Sequence, residues 1–412
     1  MRPLLALPVF VFLLLATTGC VSHSPVACGG KGRSARVFFA TDRRQQPTDA
    51  VSLHFGPERN RPPGLNLGWE EISFGPQHRV GQLDDAVAIA PAHSETPSVG
   101  GERSSALQRT DVQIDAFVNN TLRPAIRAAR PPVAGGPRHV FVFVHGFNTS
   151  FDEAIRKTGQ FAGDLDLVNC AGQAQGVAIA YSWPSGSALF GYLADEENAE
   201  WTQQRLAPFL RALTRVCQAE GARLHLVAHS MGSRALIRSL SELANGCEKP
   251  GRLADDVILL APDMGRGLFD QYIDRVLPLI GHLTIYVSAR DEALTISSFL
   301  HGGHHRLGLL ESTVYAALQL TGLARDHRDL GELSQSAPNG KFDMIDVTHS
   351  LANHFGHSYE DPAFIRDFHE LVIHGAPAGA GSRANLQPRQ THQNIFFGRA
   401  GESLHYFQLQ GQ

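Results

Sequence analysis

LHLVAHSMGSRALIRSL, residues 224–240, is the stretch on which the reading of this chain turns. An apolar run enters Ala228-His229-Ser230-Met231-Gly232, and the residues that follow place Leu236, Ile237, Leu240 and Leu243 on one helical face. Strand, sharp turn and helix around a serine form the context of a nucleophile elbow, in which a strained turn lifts the hydroxyl above the sheet. Small residues two before and two after the serine are needed because the neighbouring backbones come close there. The leading position is Ala228, where glycine is usual, so the motif is a variant. The plain alternative is a chance His-Ser-x-Gly at a strand–helix turn, and the pattern of the rest of the chain weighs against it.

From Gln108 onward, short apolar runs alternate with helical segments, the signature of a parallel sheet covered on both faces. A helix over 107–130 leads to HVFVFV (139–144), and one over 150–168 leads to VAIAYSW (177–183). A helix over 194–219 leads to LHLVAH (224–229), and one over 232–245 leads to DVILLAP (256–262). A helix over 267–279 leads to LTIYVS (283–288), and FDMIDV (342–347) precedes a last helix at 361–374. Ahead of this core, RVFFATDR (36–43) reads as a strand. VSLHFG (51–56) and WEEISFG (69–75) flank a turn-rich loop and are expected to form an antiparallel hairpin or small sheet at the front of the domain. Residues 375–412, rich in Gly, Pro and Gln, read as a partly disordered tail. The expected division is therefore a leader over 1–19, a tether over 20–32, N-terminal strands and loop over 33–106, the alternating core over 107–374 and the tail over 375–412.

A second strand–turn stands upstream, HVFVFVHGFNTSFDEA (139–154). Acyl transfer develops negative charge on the carbonyl oxygen, and preorganised N–H donors aimed at that oxygen lower the barrier. The elbow would supply one from Met231, and the loop after His145-Gly146 another from Phe147. A plain helix entrance capped by Asn148 or Ser150 is compatible with that role.

VFFATDR, VHGFNTSFDEA, AHSMG, LLAPDM (259–264) and GHSY (356–359), in this order, resemble a bacterial α/β-hydrolase family of unknown function within the esterase/lipase superfamily. The resemblance spans about residues 36–372. It implies the α/β-hydrolase fold and a triad in the order Ser, acid, His, without a metal or cofactor, and it does not imply a substrate. Carried over residue by residue, Ser230 takes the nucleophile position and His357 of GHSY the base, with His354 and His349 as rivals. Asp291, after LTIYVS, and Asp263, after DVILLAP, compete for the acid. Both follow strand ends where catalytic groups gather in open parallel sheets. The usual place of the acid in this fold, after the later strand, favours Asp291, leaving Asp263 to shape the site or to act as a helix N-cap.

The activity this implies is hydrolysis of carboxylic esters or related acyl bonds, on a small-molecule or lipid acyl ester. Acyl transfer or peptidase chemistry on the same triad is a rival. A noncatalytic envelope lipoprotein using the fold as a binding module is another. The net charge of −4, without a Lys/Arg-rich run, lacks the footprint of a nucleic-acid binder. Arg2, an apolar run from Leu4 to Ala16 and small residues up to Gly19-Cys20 form a secretory leader too short to span a bilayer comfortably. Its end resembles a bacterial lipoprotein signal, with Cys20 as the lipidated residue and Val21 after it. A lipid anchor on the periplasmic side of the outer membrane is the expected location.

An exported chain favours disulfides. Cys217 and Cys247, at the ends of the helices on either side of the nucleophile strand, are expected to pair, leaving Cys28 and Cys170. His301, His304 and His305 read as a solvated loop rather than metal ligands, and Tyr181, Trp183 and Pro184 as either pocket lining or core.

Overall fold

The computed structural model describes residues 32–46, 54–61, 64–75, 78–81, 88–89, 93–94, 106–186, 191–246, 251–310, 341–350, 357, 359, 361–388 and 406–410. The expected leader, Cys20, Cys28, Cys247 and His354 lie outside them. Among the described residues no helix is long and apolar enough to cross a membrane.

A 12-stranded sheet organises the molecule. Its parallel body consists of β1 (Arg33–Thr41), β7 (Arg138–Val144), β8 (Gly176–Ser182), β9 (Ala222–His229), β10 (Ala254–Leu260), β11 (Ile280–Val287), β12 (Phe342–Asp346) and β14 (Tyr406–Leu409), arranged β1-β8-β7-β9-β10-β11-β12-β14. These strands read as near-continuous apolar runs because they are buried on both faces. In β7, Val140, Val142 and Val144 join one core cluster, and Phe141 and Phe143 the opposite one. The first cluster contains buried residues of α1 (Ala106–Phe117), α5 (Gln203–Glu220), α6 (Gly232–Ala244) and α7 (Arg266–Val276). The second contains those of α3 (Phe151–Asp164) and of α9 (Pro362–His374). Leu236, Ile237, Leu240 and Leu243 of α6 are buried, as their spacing requires.

The N-terminal strands are antiparallel as expected, but the two runs do not pair with each other as a hairpin. β4 (Asn66–Phe74) runs antiparallel to β1 over nine residue pairs, while β3 (His54–Arg59) pairs with β2 (Arg43–Gln46) as a separate ribbon. The reason is that β1, apolar on both faces, is itself a sheet strand and takes a partner on each edge, β8 on one and β4 on the other. The short strands β5 (Ala88–Ile89) and β6 (His93–Ser94) pair with the outer edge of β4. The tail also carries order, since β13 (Leu386–Pro388) and β14 extend the far edge of the sheet beyond β12. The single helix expected over 194–219 is two, α4 (Tyr192–Trp201) and α5, meeting at Thr202. The Thr202 hydroxyl hydrogen-bonds the Asp42 carboxylate and the Tyr181 hydroxyl. A helix the periodicity did not signal, α8 (Glu292–Leu300), follows β11.

Strand order locates the site. After β7 the chain places β8 on one side of it and β9 on the other, so β7 and β9 border the topological switch point. There the loops at their C-terminal ends diverge and leave a crevice. Those loops carry His145-Gly146-Phe147 and Ser230.

Candidate active site

Ser230 sits between β9 and α6 with φ of +50°, in the left-handed region that costs a non-glycine residue roughly 1–2 kcal/mol. The surroundings hold it there. Its N–H donates to Leu260 O at 2.9 Å and its carbonyl accepts from Asp263 N at 3.1 Å, tying the turn to the end of β10. A Cβ on Gly232 would lie 2.3 Å from His145 O and 2.6 Å from Val144 O, which excludes any side chain two places after the serine. A Cβ on Gly146 would come within 2.9 Å of Ser230 Cβ, so the two loops meet at glycine on each side. At the leading position Ala228 is fully buried between Val144 and Leu259 in the adjacent strands, and its single methyl fits there.

Asp291 and His357 come together from elements 66 residues apart, with His357 Nδ1 donating to Asp291 Oδ2 at 2.7 Å. Asp291 is fully buried and is also the N-cap of α8, its Oδ1 accepting from Leu294 N at 2.8 Å. The cap fixes the carboxylate independently of the imidazole. Burial pulls the His357 imidazole down, but the Asp291 charge and hydrogen bond outweigh it, with a further push from Asp263, so the ring titrates above its ordinary 6.5. His229, the residue before the nucleophile, presents Nε2 to His357 O at 3.0 Å. Burial, then the neighbouring His357, hold its own ring far below the ordinary value, so it is neutral and donates that bond. This support for the His357 backbone had no signal in the sequence beyond adjacency to Ser230. His349 is exposed in the turn after β12.

Of the two alternatives expected for Asp263, shaping the site or capping a helix, the cap is not found, and it is Asp291 that caps a helix. Asp291 caps α8, whereas α7, which follows Asp263, has Gly265 as its N-cap and no side-chain cap. Asp263 is instead held by Tyr192 Oη at 2.6 Å, Ser297 Oγ at 2.7 Å and Arg306 Nε at 2.9 Å. With its oxygens committed to a buried cation and two hydroxyls, Asp263 shapes the wall beside Ser230. Phe147 packs edge-on against Tyr192, ring centroids 5.3 Å apart, which joins this wall to the loop after β7. His301 and His305 belong here rather than to a solvated loop. His305 is buried, and His301 Nε2 lies 2.9 Å from Glu196.

The loop after β7 is braced from below. His145 Nδ1 donates to Gly146 O at 2.8 Å. Burial, then the Arg43 charge, drive the His145 imidazole down to about 3, so it is neutral. With the proton on Nδ1, Nε2 is free to accept from Arg43 Nη2 at 3.3 Å. In a planar trans peptide C=O and N–H point in opposite directions. Holding Gly146 O against His145 therefore turns the Phe147 N–H the other way. Neither that N–H nor the Met231 N–H donates to any described group, so both are available to a ligand. Arg43, buried, also donates to Ser182 Oγ, Ser185 O and Thr149 O at 2.8, 3.1 and 2.6 Å, locking both ends of the loop. Trp183, stacked on His145, donates to His145 O at 2.7 Å. Tyr181, Trp183 and Pro184 are buried core beneath the loop, not pocket lining.

The cysteines differ from expectation. Cys217 is a free, buried thiol, so it does not pair with Cys247. Cys170 is in a disulfide.

The fold is that of an α/β hydrolase. Residues 135–338 match the model of a family described as alpha/beta hydrolase of unknown function (DUF900), a stretch that includes Phe147, Ser230, Met231 and Asp291 and ends before His357. No curated protein matches the chain.

Proposed function

We propose that this protein is a serine hydrolase of carboxylic esters or related acyl bonds. Ser230 is its nucleophile, His357 its general base and acid, and Asp291 the carboxylate that orients the imidazole. The observation that carries the reading is the 2.7 Å His357–Asp291 bond, which the 3.0 Å bond from His229 to the His357 carbonyl ties to the residue after His229, a serine held at φ +50°. In this scheme the Ser230 hydroxyl attacks the acyl carbon as its proton passes to His357 Nε2. The tetrahedral oxyanion is received by the N–H groups of Phe147 and Met231, each worth about 2.7–4 kcal/mol of transition-state stabilisation. Collapse breaks the acyl–oxygen bond, and His357 returns the proton to the departing alkoxide. Water then attacks the acyl–serine ester by the same route, releasing the acid and restoring the hydroxyl. Asp291 keeps its charge throughout and stabilises the imidazolium.

Fluorophosphonate labelling followed by peptide mapping tests this, with p-nitrophenyl esters of short acids as the turnover assay. The adduct is expected on Ser230, with label and turnover lost in Ser230→Ala at unchanged circular dichroism. Labelling elsewhere, or full turnover by that variant, refutes the assignment. We further propose, from the Met1–Cys20 leader, that the chain is exported and lipid-anchored at Cys20, facing the periplasm. Cys20→Ser is then expected to move from the detergent phase to the soluble fraction, and unchanged partitioning contradicts the anchor.

A further inference from the structure

At the end of the sheet opposite Ser230, the last turn of α9 meets the segment between α3 and β8. His369, Glu370 and His374 each offer one ligand atom there, all within 4.8 Å of one another. His369 and Glu370 are only 3% and 7% exposed, while His374 is open to solvent. Asp166, itself at φ +54°, places Oδ2 3.2 Å from His369 Nε2. Asn169, Cys170 and Gln175 are among the residues lining a cavity of about 700 Å³ that His369, His374 and Asp166 also line.

Two features of this cluster point to a ligand. A carboxylate receiving the Nε2 proton of His369 leaves Nδ1 as a lone pair, and that Nδ1 is enclosed with no hydrogen-bond partner. A histidine that ligates a metal is commonly oriented in this way, its second nitrogen bonded to a carboxylate that fixes the tautomer and raises the basicity of the first. Glu370 is more than nine-tenths buried, yet its carboxylate makes no ion pair or side-chain hydrogen bond among the described residues. Its oxygens are not enclosed, so they can meet a cation placed between them and the two imidazoles. Arg223, packed against Gly375, does not serve the cluster, because it is engaged with Asp256 at 3.1 Å.

We propose that His369, Glu370 and His374 bind a divalent zinc ion, with Asp166 orienting His369. Two imidazoles and a carboxylate suit zinc, whereas calcium and magnesium prefer all-oxygen shells. Tetrahedral bonds of about 2.0–2.1 Å place ligand atoms about 3.3 Å apart, so the cluster contracts on binding. His374, on the final turn of the helix, is the exposed member of the three. All three ligands belong to α9, and the His369–Asp166 bond at 3.2 Å links the ion to the α3–β8 segment. The competing explanation is that His374 serves only the α9 carbonyls as a C-terminal cation, which requires no metal.

The experiment is calorimetric titration of the EDTA-treated, untagged full chain with zinc chloride at pH 7.5, paired with thermal melts. One equivalent is expected to bind and to raise the melting temperature. His374→Ala and Glu370→Gln are each expected to weaken binding at least tenfold, and Asp166→Asn by about 10–100-fold. Ester turnover of His374→Ala is expected to match the parent, since the site lies at the far end of the sheet. Calcium at the same concentration is expected not to compete. Absence of the binding event, wild-type affinity in both His374→Ala and Glu370→Gln, or displacement by calcium would overturn the proposal.

Discussion

Replacing Asp291 by asparagine separates the two functions this residue combines. Asparagine is as good an N-cap as aspartate, so an amide oxygen in the position of Oδ1 still accepts from Leu294 N, and the cap itself loses little. The other branch changes sign. Oδ2, which now accepts the His357 Nδ1 proton at 2.7 Å, becomes an NH2 donor and selects the tautomer with the proton on Nε2. That imidazole has no lone pair for the Ser230 proton, and in triad hydrolases such a change lowers kcat by about 10⁴. At 1.36 kcal/mol per tenfold, this is about 5.4 kcal/mol of transition-state stabilisation. Asp263→Asn provides the contrast. It uncouples a buried arginine, Arg306 at 2.9 Å, and is expected to cost about 3–5 kcal/mol of stability while leaving the His357 tautomer untouched. The assay is kcat on a p-nitrophenyl ester for both variants, at temperatures set by their own melting curves so that each is fully folded. Asp291→Asn with turnover within tenfold of the parent refutes the argument. So does the reverse ranking, which would place the acid one strand earlier.

Turnover should also report the His357 titration directly. The base must be neutral, and its value is raised, so kcat/KM is expected to climb with pH through a midpoint above 6.5. In Asp291→Asn the residual activity should show a lower midpoint, and an unmoved one contradicts the coupling. The same raised value makes His357 stabilise the fold fully below about 6.5, a contribution lost as pH rises through the folded-state value. This share of stability therefore falls where activity rises, as thermal melts against pH would register. Arg43→Met removes the brace under the Phe147 loop. It is expected to lower kcat by tenfold to a thousandfold, the ceiling being one oxyanion donor, with KM little changed; a kcat within twofold of the parent, in correctly folded protein, excludes the brace. Gly232→Ala puts a methyl 2.3 Å from the His145 carbonyl and is expected to yield little soluble protein, or a large drop in melting temperature, and a normal melt would show that the elbow has slack.

Local signals made much of this protein legible from its residues alone. The apolar strands and the amphipathic α6 follow from side-chain periodicity, which reports burial wherever one face or both faces are covered. Ser230 is legible because the strained turn demands particular neighbours, and Gly232 bears the mark of that demand in the one-letter string. Asp291 and His357 are readable only as positions after strands, alongside Asp263, His349 and His354, since residue type and order do not record distance. Tertiary structure separates them: Asp263 is taken by Tyr192, Ser297 and Arg306, while Asp291 meets the imidazole. It likewise recruits Arg43 to a loop 102 residues away and buries Trp183 beneath it. The edge strands in the tail, the free Cys217 and the pairing of β4 with β1 belong to the same group. Each depends on which surfaces meet when the sheet closes, a long-range choice set by packing over the whole core. Short-range pattern fixes elements and turns; which polar groups end within 3 Å of one another is decided only when every strand has its neighbours.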